Sequence, residues 1–110
     1  MPREEDRIRL QHMLDSANEA IQFMRGRTYD DFSQNRMLQQ AVLRSIEIIG
    51  EASANITEEY RHAHDDIPWG DIIGMRNRLI HAYFDINIKL VWKTIIEDLP
   101  DLIPKLELLL

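Results

Sequence analysis

The sequence predicts an all-α protein, an antiparallel bundle of four to five helices joined by short loops. Three observations carry that expectation. Apolar residues recur at spacings of three and four, nothing alternates at period two over a useful length, and glycine and proline number only four each. With 110 residues, 45% hydrophobic and 29% charged, the chain has the composition of one folded domain spanning 1–110. A disordered tail would lack that apolar content. A chain of this size buries about two-thirds of its unfolded surface, enough for one modest core.

The elements follow in order. Leu10, Leu14, Ala17, Ile21 and Met24 form the stripe of a first helix, and Gly26 is its expected stop, because glycine tolerates the left-handed cap conformation. Leu38, Val42, Ser45, Ile49, Ala52 and Ile56 form a second stripe. Gly50 falls inside it, where a glycine costs about 1 kcal/mol relative to alanine; close approach of another helix is the expected reason. Thr57, followed by Glu58 and Glu59, reads as the cap and acidic first turn of a short helix. Residues 62–67 read as loop. Pro68 suits the first position of the next helix, with Asp71 in its first turn, and that helix is expected to run to about His81. Asp85 or Asn87 can cap another, whose stripe is Ile88, Val91, Trp92, Ile95 and Leu99. Pro100 and Pro104 are expected to kink or restart the chain into a last helix ending at 106–110. Leu106, Leu108, Leu109 and Leu110 exceed what a small bundle easily covers. They fit either a homodimer interface or a helix folded back on its own core.

Several classes of chemistry are excluded. Without cysteine there is no disulfide framework, zinc ribbon or thiolate nucleophile, which fits a reducing cytoplasm. The mixed charges of the first residues are unlike a signal peptide, and no apolar run approaches the roughly 20 residues of a membrane span. His62, His64, Asp65 and Asp66 are metal-ligand types, but no second cluster accompanies them; a solvated polar loop, and no metal, is the expectation. His12, beside the first stripe, reads as a boundary residue.

The informative segment is Met75-Arg76-Asn77-Arg78-Leu79-Ile80-His81-Ala82-Tyr83-Phe84-Asp85. Histidine titrates near neutral pH and can take or give a proton. The arginine fork matches phosphate geometry and is permanently charged. Together they suffice to cleave RNA without a metal: the ribose 2′-hydroxyl attacks the adjacent phosphate, His81 moves a proton, and Arg76 offsets the growing charge. Asn77, four residues before His81, would share its helical face and could hold the ring. On one straight helix, however, Arg76 and His81 lie about 140° apart, whereas Arg76 and Tyr83 nearly coincide. Either the helix ends near His81, or two copies of the motif meet across a dimer. The same residues also fit a helix-end surface without chemistry.

Charge bears on the choice. The net charge of −6 argues against a generic nucleic-acid binder. Yet residues 76–96 carry Arg76, Arg78, Lys89 and Lys93 against Asp85 alone, a net of +3, and the rest of the chain carries −9. Any RNA contact is therefore expected around those four cations, since salt screens more distant charge beyond roughly 10 Å.

Arg76-x4-His81-x-Tyr83 resembles the Rx4HxY motif of HepT toxins, a branch of the HEPN ribonuclease superfamily. The resemblance extends to Ile48-Ile49-Gly50-Glu51-Ala52, Ile67-Pro68-Trp69, Gly74-Met75-Arg76-Asn77, Val91-Trp92 and Leu99-Pro100, and so covers essentially the whole chain. It implies a HEPN-like bundle that forms a homodimer with two motifs in one cleft, acting as a metal-independent endoribonuclease toxin. Arg76 and His81 would be catalytic, Asn77 supporting, and Arg78, Lys89 and Lys93 RNA-binding. It also implies a cognate minimal nucleotidyltransferase antitoxin that neutralises the toxin by AMPylation of Tyr83. ATP would be used only by that partner, and the toxin itself would need no cofactor. A bulky negative phosphodiester in a basic cleft would repel and block RNA. The alternative is a non-catalytic HEPN binding module that holds nucleotide, RNA or a nucleotidyltransferase partner.

Overall fold

Four long helical segments carry the fold of this chain, in a computed structural model that describes residues 3–82 and 85–110 and, at 81 and 82, the backbone alone. They are α1 (Glu4–Met24), α3 (Arg36–Ala54), α5 (Trp69–Leu79) and α7 (Leu99–Leu109). Shorter helices α2 (Tyr29–Ser33), α4 (Glu58–Ala63) and α6 (Ile88–Lys93) fill the connections, and two very short strands, β1 (Ile80–Ala82) and β2 (Asp85–Ile86), follow α5. The all-α class holds. The short α2 was not anticipated, nor was the extended pair.

Helix α1 starts with Glu4, Glu5 and Asp6 against its positive N-terminal dipole and stops before Gly26, whose φ of +75° only glycine adopts cheaply. Its buried face is Leu10, Met13, Ala17, Ala20 and Met24, with the expected Leu14 and Ile21 half-buried at its edge. The α3 stripe is buried as expected: Leu38, Val42, Ser45, Ile49 and Ala52, continued by Ile56. Burying each large aliphatic side chain is worth about 1.5–3 kcal/mol.

Polar contacts fix how the helices run. Asp6 is almost wholly buried, and its carboxylate accepts from the backbone N–H of Thr57 at 2.9 Å and from its hydroxyl at 2.7 Å. Farther along, Ser45 Oγ lies 3.5 Å from Glu19. The pairs 6–57 and 19–45 make α1 and α3 antiparallel. Thr57 also caps α4, its hydroxyl accepting from Tyr60 N–H. Burial, followed by the Asp6 charge, pushes the Tyr60 hydroxyl above the ordinary tyrosine pKa.

Gly50 is where α3 meets α5. A Cβ placed there would stand 3.2 Å from the backbone oxygen of Ile72, so the close approach expected of this glycine is present. Pro68 is the N-cap of α5, one position before the one expected, and Asp71 lies in the first turn.

The largest differences from expectation lie after α5. That helix ends at Leu79, two residues before the expected His81, and Ile80 is extended (φ −121°, ψ 115°). Pro100 and Pro104 do not break the last helix. A single π turn, Thr94–Asp98, joins α6 to α7 in one helical run. Proline cannot donate the usual backbone bond and its ring crowds the preceding turn; the wider π turn gives it room. Of the apolar C-terminal end, Leu106 is fully buried and Leu109 half-buried, so α7 folds back on the core, while Leu108 remains 87% exposed. Among the described residues, no helix is long and apolar enough to cross a membrane.

Candidate active site

The segment that carries the motif changes conformation within it. Arg76, Asn77 and Arg78 belong to the last turn of α5, where basic groups favour the negative end of the helix dipole. The run Ile80-His81-Ala82 opens on a β-branched residue and takes up the extended strand β1 instead. Its register sets Ile80 opposite Ile86 and Ala82 opposite Asp85. Asn87 ties both ends together. Its N–H donates to the carbonyl of Leu79 at 2.7 Å, which satisfies an orphan acceptor at the end of α5. Its side chain accepts from Leu90 N–H at 3.2 Å and caps α6, the role expected of Asp85 or Asn87.

Because the helix ends before His81, the shared helical face argued for Asn77 and His81 does not exist. Asn77 is exposed on α5, and His81 is a strand residue. The first of the two geometries allowed by the sequence, a helix ending near His81, is the one found. Tyr83 lies outside the described residues.

Arg76 points towards α3. Its Nε lies 3.4 Å from Glu47 Oε1, and the second carboxylate oxygen of Glu47 lies 3.6 Å from Arg44 Nη1. Glu47 and Arg76 are each one helical turn from the close crossing, Glu47 before Gly50 and Arg76 after Ile72 and Ile73. The antiparallel approach of α3 and α5 therefore brings them together. Sequence reasoning missed Arg44 and Glu47. Their only local signal is an ordinary i, i+3 charge pair on one helix.

Arg78 points the other way, about 200° around α5 from Arg76. Its side chain lies back along its own helix over Gly74, whose missing Cβ would stand 3.7 Å from Nη1. It donates to the Asp71 carbonyl at 2.9 Å, with the Asp71 carboxylate at 3.8 Å. Arg78 and Lys93 line a groove of about 510 Å³ between α5, α6 and α7, together with Lys105 and with Asp71, Asp98 and Asp101. Lys89 stands exposed on α6, and neither it nor Arg76 lines that groove. The four cations that form one window in sequence are thus distributed over different faces.

Of the segment with metal-ligand residue types, His64 is engaged in packing. The His64 ring packs on Tyr60 with ring centres 4.3 Å apart, and the His64 carbonyl accepts from the Trp69 indole at 2.9 Å.

Comparison with known proteins decides the family. The family described as Ribonuclease HepT-like matches residues 13–109. The chain belongs to the HepT-like ribonuclease family. It is 43% identical over 98 residues to a protein of Thermococcus cleftensis named "Probable ribonuclease HepT", covering 86% of this chain and 89% of that one. It is 41% identical over 99 residues to a Methanocaldococcus jannaschii protein named "Putative RNase", with 90% and 91% covered. A Caldanaerobacter subterraneus protein, likewise named as an RNase, is 41% identical over 93 residues, with 84% and 83% covered. No solved structure matches this HepT-like chain significantly.

Proposed function

We propose that this chain is a metal-independent endoribonuclease and the toxin of a type VII-like toxin–antitoxin pair. The observation that carries the reading is the HepT-like family match across nearly the whole chain, with Arg76 and His81 at the junction where α5 gives way to β1. In the proposed reaction the 2′-oxygen attacks phosphorus and the bond to the 5′-oxygen breaks, giving a 2′,3′-cyclic phosphate and a 5′-hydroxyl. His81 takes the proton from the 2′-hydroxyl, and the imidazolium so formed returns it to the departing 5′-oxygen. Arg76 donates to the phosphate oxygens as charge accumulates on them. Asn77, exposed beside Arg76, supports the site. Arg78, Lys89 and Lys93 contribute weaker contacts to more distant phosphates.

In this reading two copies form a homodimer whose motifs share one cleft, and the exposed Leu108 and Leu110 supply apolar surface for it. A minimal nucleotidyltransferase antitoxin uses ATP to attach AMP to Tyr83, and the added anion and bulk close the cleft to RNA. The site needs no cofactor of its own.

Purified protein and its His81→Ala variant, given total cellular RNA from pH 5 to 9 in the presence of EDTA, test this reading. Wild type is expected to cleave with products ending in cyclic phosphate. The variant is expected to lose a factor of roughly 10² to 10⁴. Equal digestion by both proteins removes His81 from the chemistry. RNA binding without cleavage, indifferent to His81, establishes the non-catalytic binding module instead. Incubation with the cognate transferase and ATP should add the mass of AMP at Tyr83; an adduct elsewhere removes that part.

A further inference from the structure

Arg44 has no part in the reaction above, yet it shares a carboxylate with the arginine that does. Glu47 lies 3.4 Å from Arg76 Nε and 3.6 Å from Arg44 Nη1, so one acid bridges two guanidinium groups on adjacent helices. The burial is graded. The Glu47 side chain is 28% exposed, while those of Arg76 and Arg44 are 55% and 65% exposed. The carboxylate is the inner member and the two arginines are the outer ones. Each guanidinium has five N–H donors, and one carboxylate can occupy only some of them. The cluster keeps one net positive charge and turns unused donors to solvent. It is also braced from beneath, because the Gly50 crossing fixes the separation of α3 and α5 one turn away.

A single RNA strand presents a phosphate at every nucleotide, and each phosphate that an Arg or Lys neutralises adds to affinity and to its salt dependence. We propose that Arg44 and Arg76 form a two-phosphate site across α3 and α5, with Glu47 as the positioning residue between them. Arg76 takes the scissile phosphate and Arg44 a neighbouring phosphate of the same strand. This rests on the ribonuclease reading for the role of Arg76. Arg44 and Glu47 make and break no bond; they act through charge and geometry. The groove between α5, α6 and α7 is a poorer phosphate site, because its three cations face three aspartates.

The test measures kcat, KM and the salt dependence of RNA binding for wild type, Arg44→Ala, Arg44→Lys, Glu47→Gln and Arg76→Ala. Arg44→Ala is expected to raise KM several-fold and leave kcat nearly unchanged. It should also flatten the plot of log affinity against log salt by about 0.7, the value of one single-strand phosphate. Arg44→Lys keeps the charge and should restore the slope. Glu47→Gln removes a negative charge and the clamp together. KM should fall while kcat drops between about ten- and a hundred-fold, since Arg76 is no longer held. A merely structural cluster would change melting temperature and leave the salt slope at the wild-type value. An unchanged slope in Arg44→Ala overturns the two-phosphate site. If Arg76→Ala still cleaves normally, the role given to Arg76 in the ribonuclease reading fails separately. The binding slope of Arg44→Ala then decides the Arg44 contact by itself.

Discussion

Helix α5 separates two basic regions that look alike in sequence and differ in space. On its α3 side, Arg76 and Arg44 share one carboxylate, Glu47, leaving a net charge of +1. On its other side, Arg78, Lys93 and Lys105 share a groove with Asp71, Asp98 and Asp101, leaving none. Charge counted along the chain merges these regions into one positive window. Charge counted across the folded surface separates a site with free donors from one already neutralised. Phosphate responds to the second count, because its interactions fade within about a Debye length.

The sharpest way to break this comparison is to remove one arginine from each side. Arg76→Ala should lower kcat for RNA cleavage by roughly 10²–10³, as expected for loss of a group that stabilises charge in the transition state. Arg78→Ala should cost only a few-fold, mainly in KM, because its guanidinium is already engaged by Asp71. Steady-state kinetics on one RNA substrate compares them directly. Equal losses would mean that the two faces act as one.

A smaller effect is expected where α3 and α5 touch. Gly50→Ala gains about 1 kcal/mol of helix propensity. It also sets a methyl group 3.2 Å from the Ile72 carbonyl, a backbone atom that moves only if α5 moves. The two terms oppose each other, so the melting temperature should shift less than the larger of them alone would shift it. The displacement of α5 should nevertheless separate Glu47 from Arg76 and lower kcat about ten-fold or more. A variant with wild-type activity would show that the crossing does not set the geometry of that side. The Arg78 groove, facing away from the crossing, should bind phosphate as before.

The parts of this fold legible in the sequence are those set by local rules. The α3 stripe, the Thr57 cap, the Gly26 stop and the Gly50 crossing all follow from residue type and spacing, while the α6 cap was narrowed only to Asp85 or Asn87. What was not legible depends on partners distant in the chain. Helix α5 was expected to run to about His81. It ends at Leu79, where the carbonyl is taken by Asn87 N–H from beyond the strands. The α2 helix has only five residues and one large buried side chain, Phe32. Part of its support is Gln39, whose side chain donates to the Phe32 and Ser33 carbonyls from the next helix. Of the site, Arg76 and His81 stood out by type and spacing. Glu47 did not, since nothing near it in sequence marks the crossing that brings Arg76 to it.

The smallest expected effect concerns pH and reaches the two regions unequally. Thr28 and Asp31 form a reciprocal cap at the start of α2: Asp31 accepts from Thr28 N–H at 2.9 Å, and Thr28 Oγ1 accepts from Asp31 N–H at 3.1 Å. The backbone bond from Thr28 and then the hydroxyl contact hold the Asp31 carboxyl below its ordinary value of 3.8. A carboxylate with a lowered folded pKa adds stability above its unfolded pKa and loses it as pH falls through the folded one. The cap should therefore persist at neutral pH and fail only below the usual carboxylate range. Helix α2 bears on α6, with the Tyr29 and Phe32 rings 5.6 and 6.1 Å from Trp92. Acid should thus loosen the α6 side first, seen as a change in the Trp92 indole N–H signal by NMR. The Trp69 signal, on α5 and bonded to the His64 carbonyl, should hold to lower pH. Asp31→Asn should abolish the Trp92 transition. Simultaneous movement of both indoles in wild type would mean that the two sides of α5 unfold as one unit, and that their difference is one of charge alone.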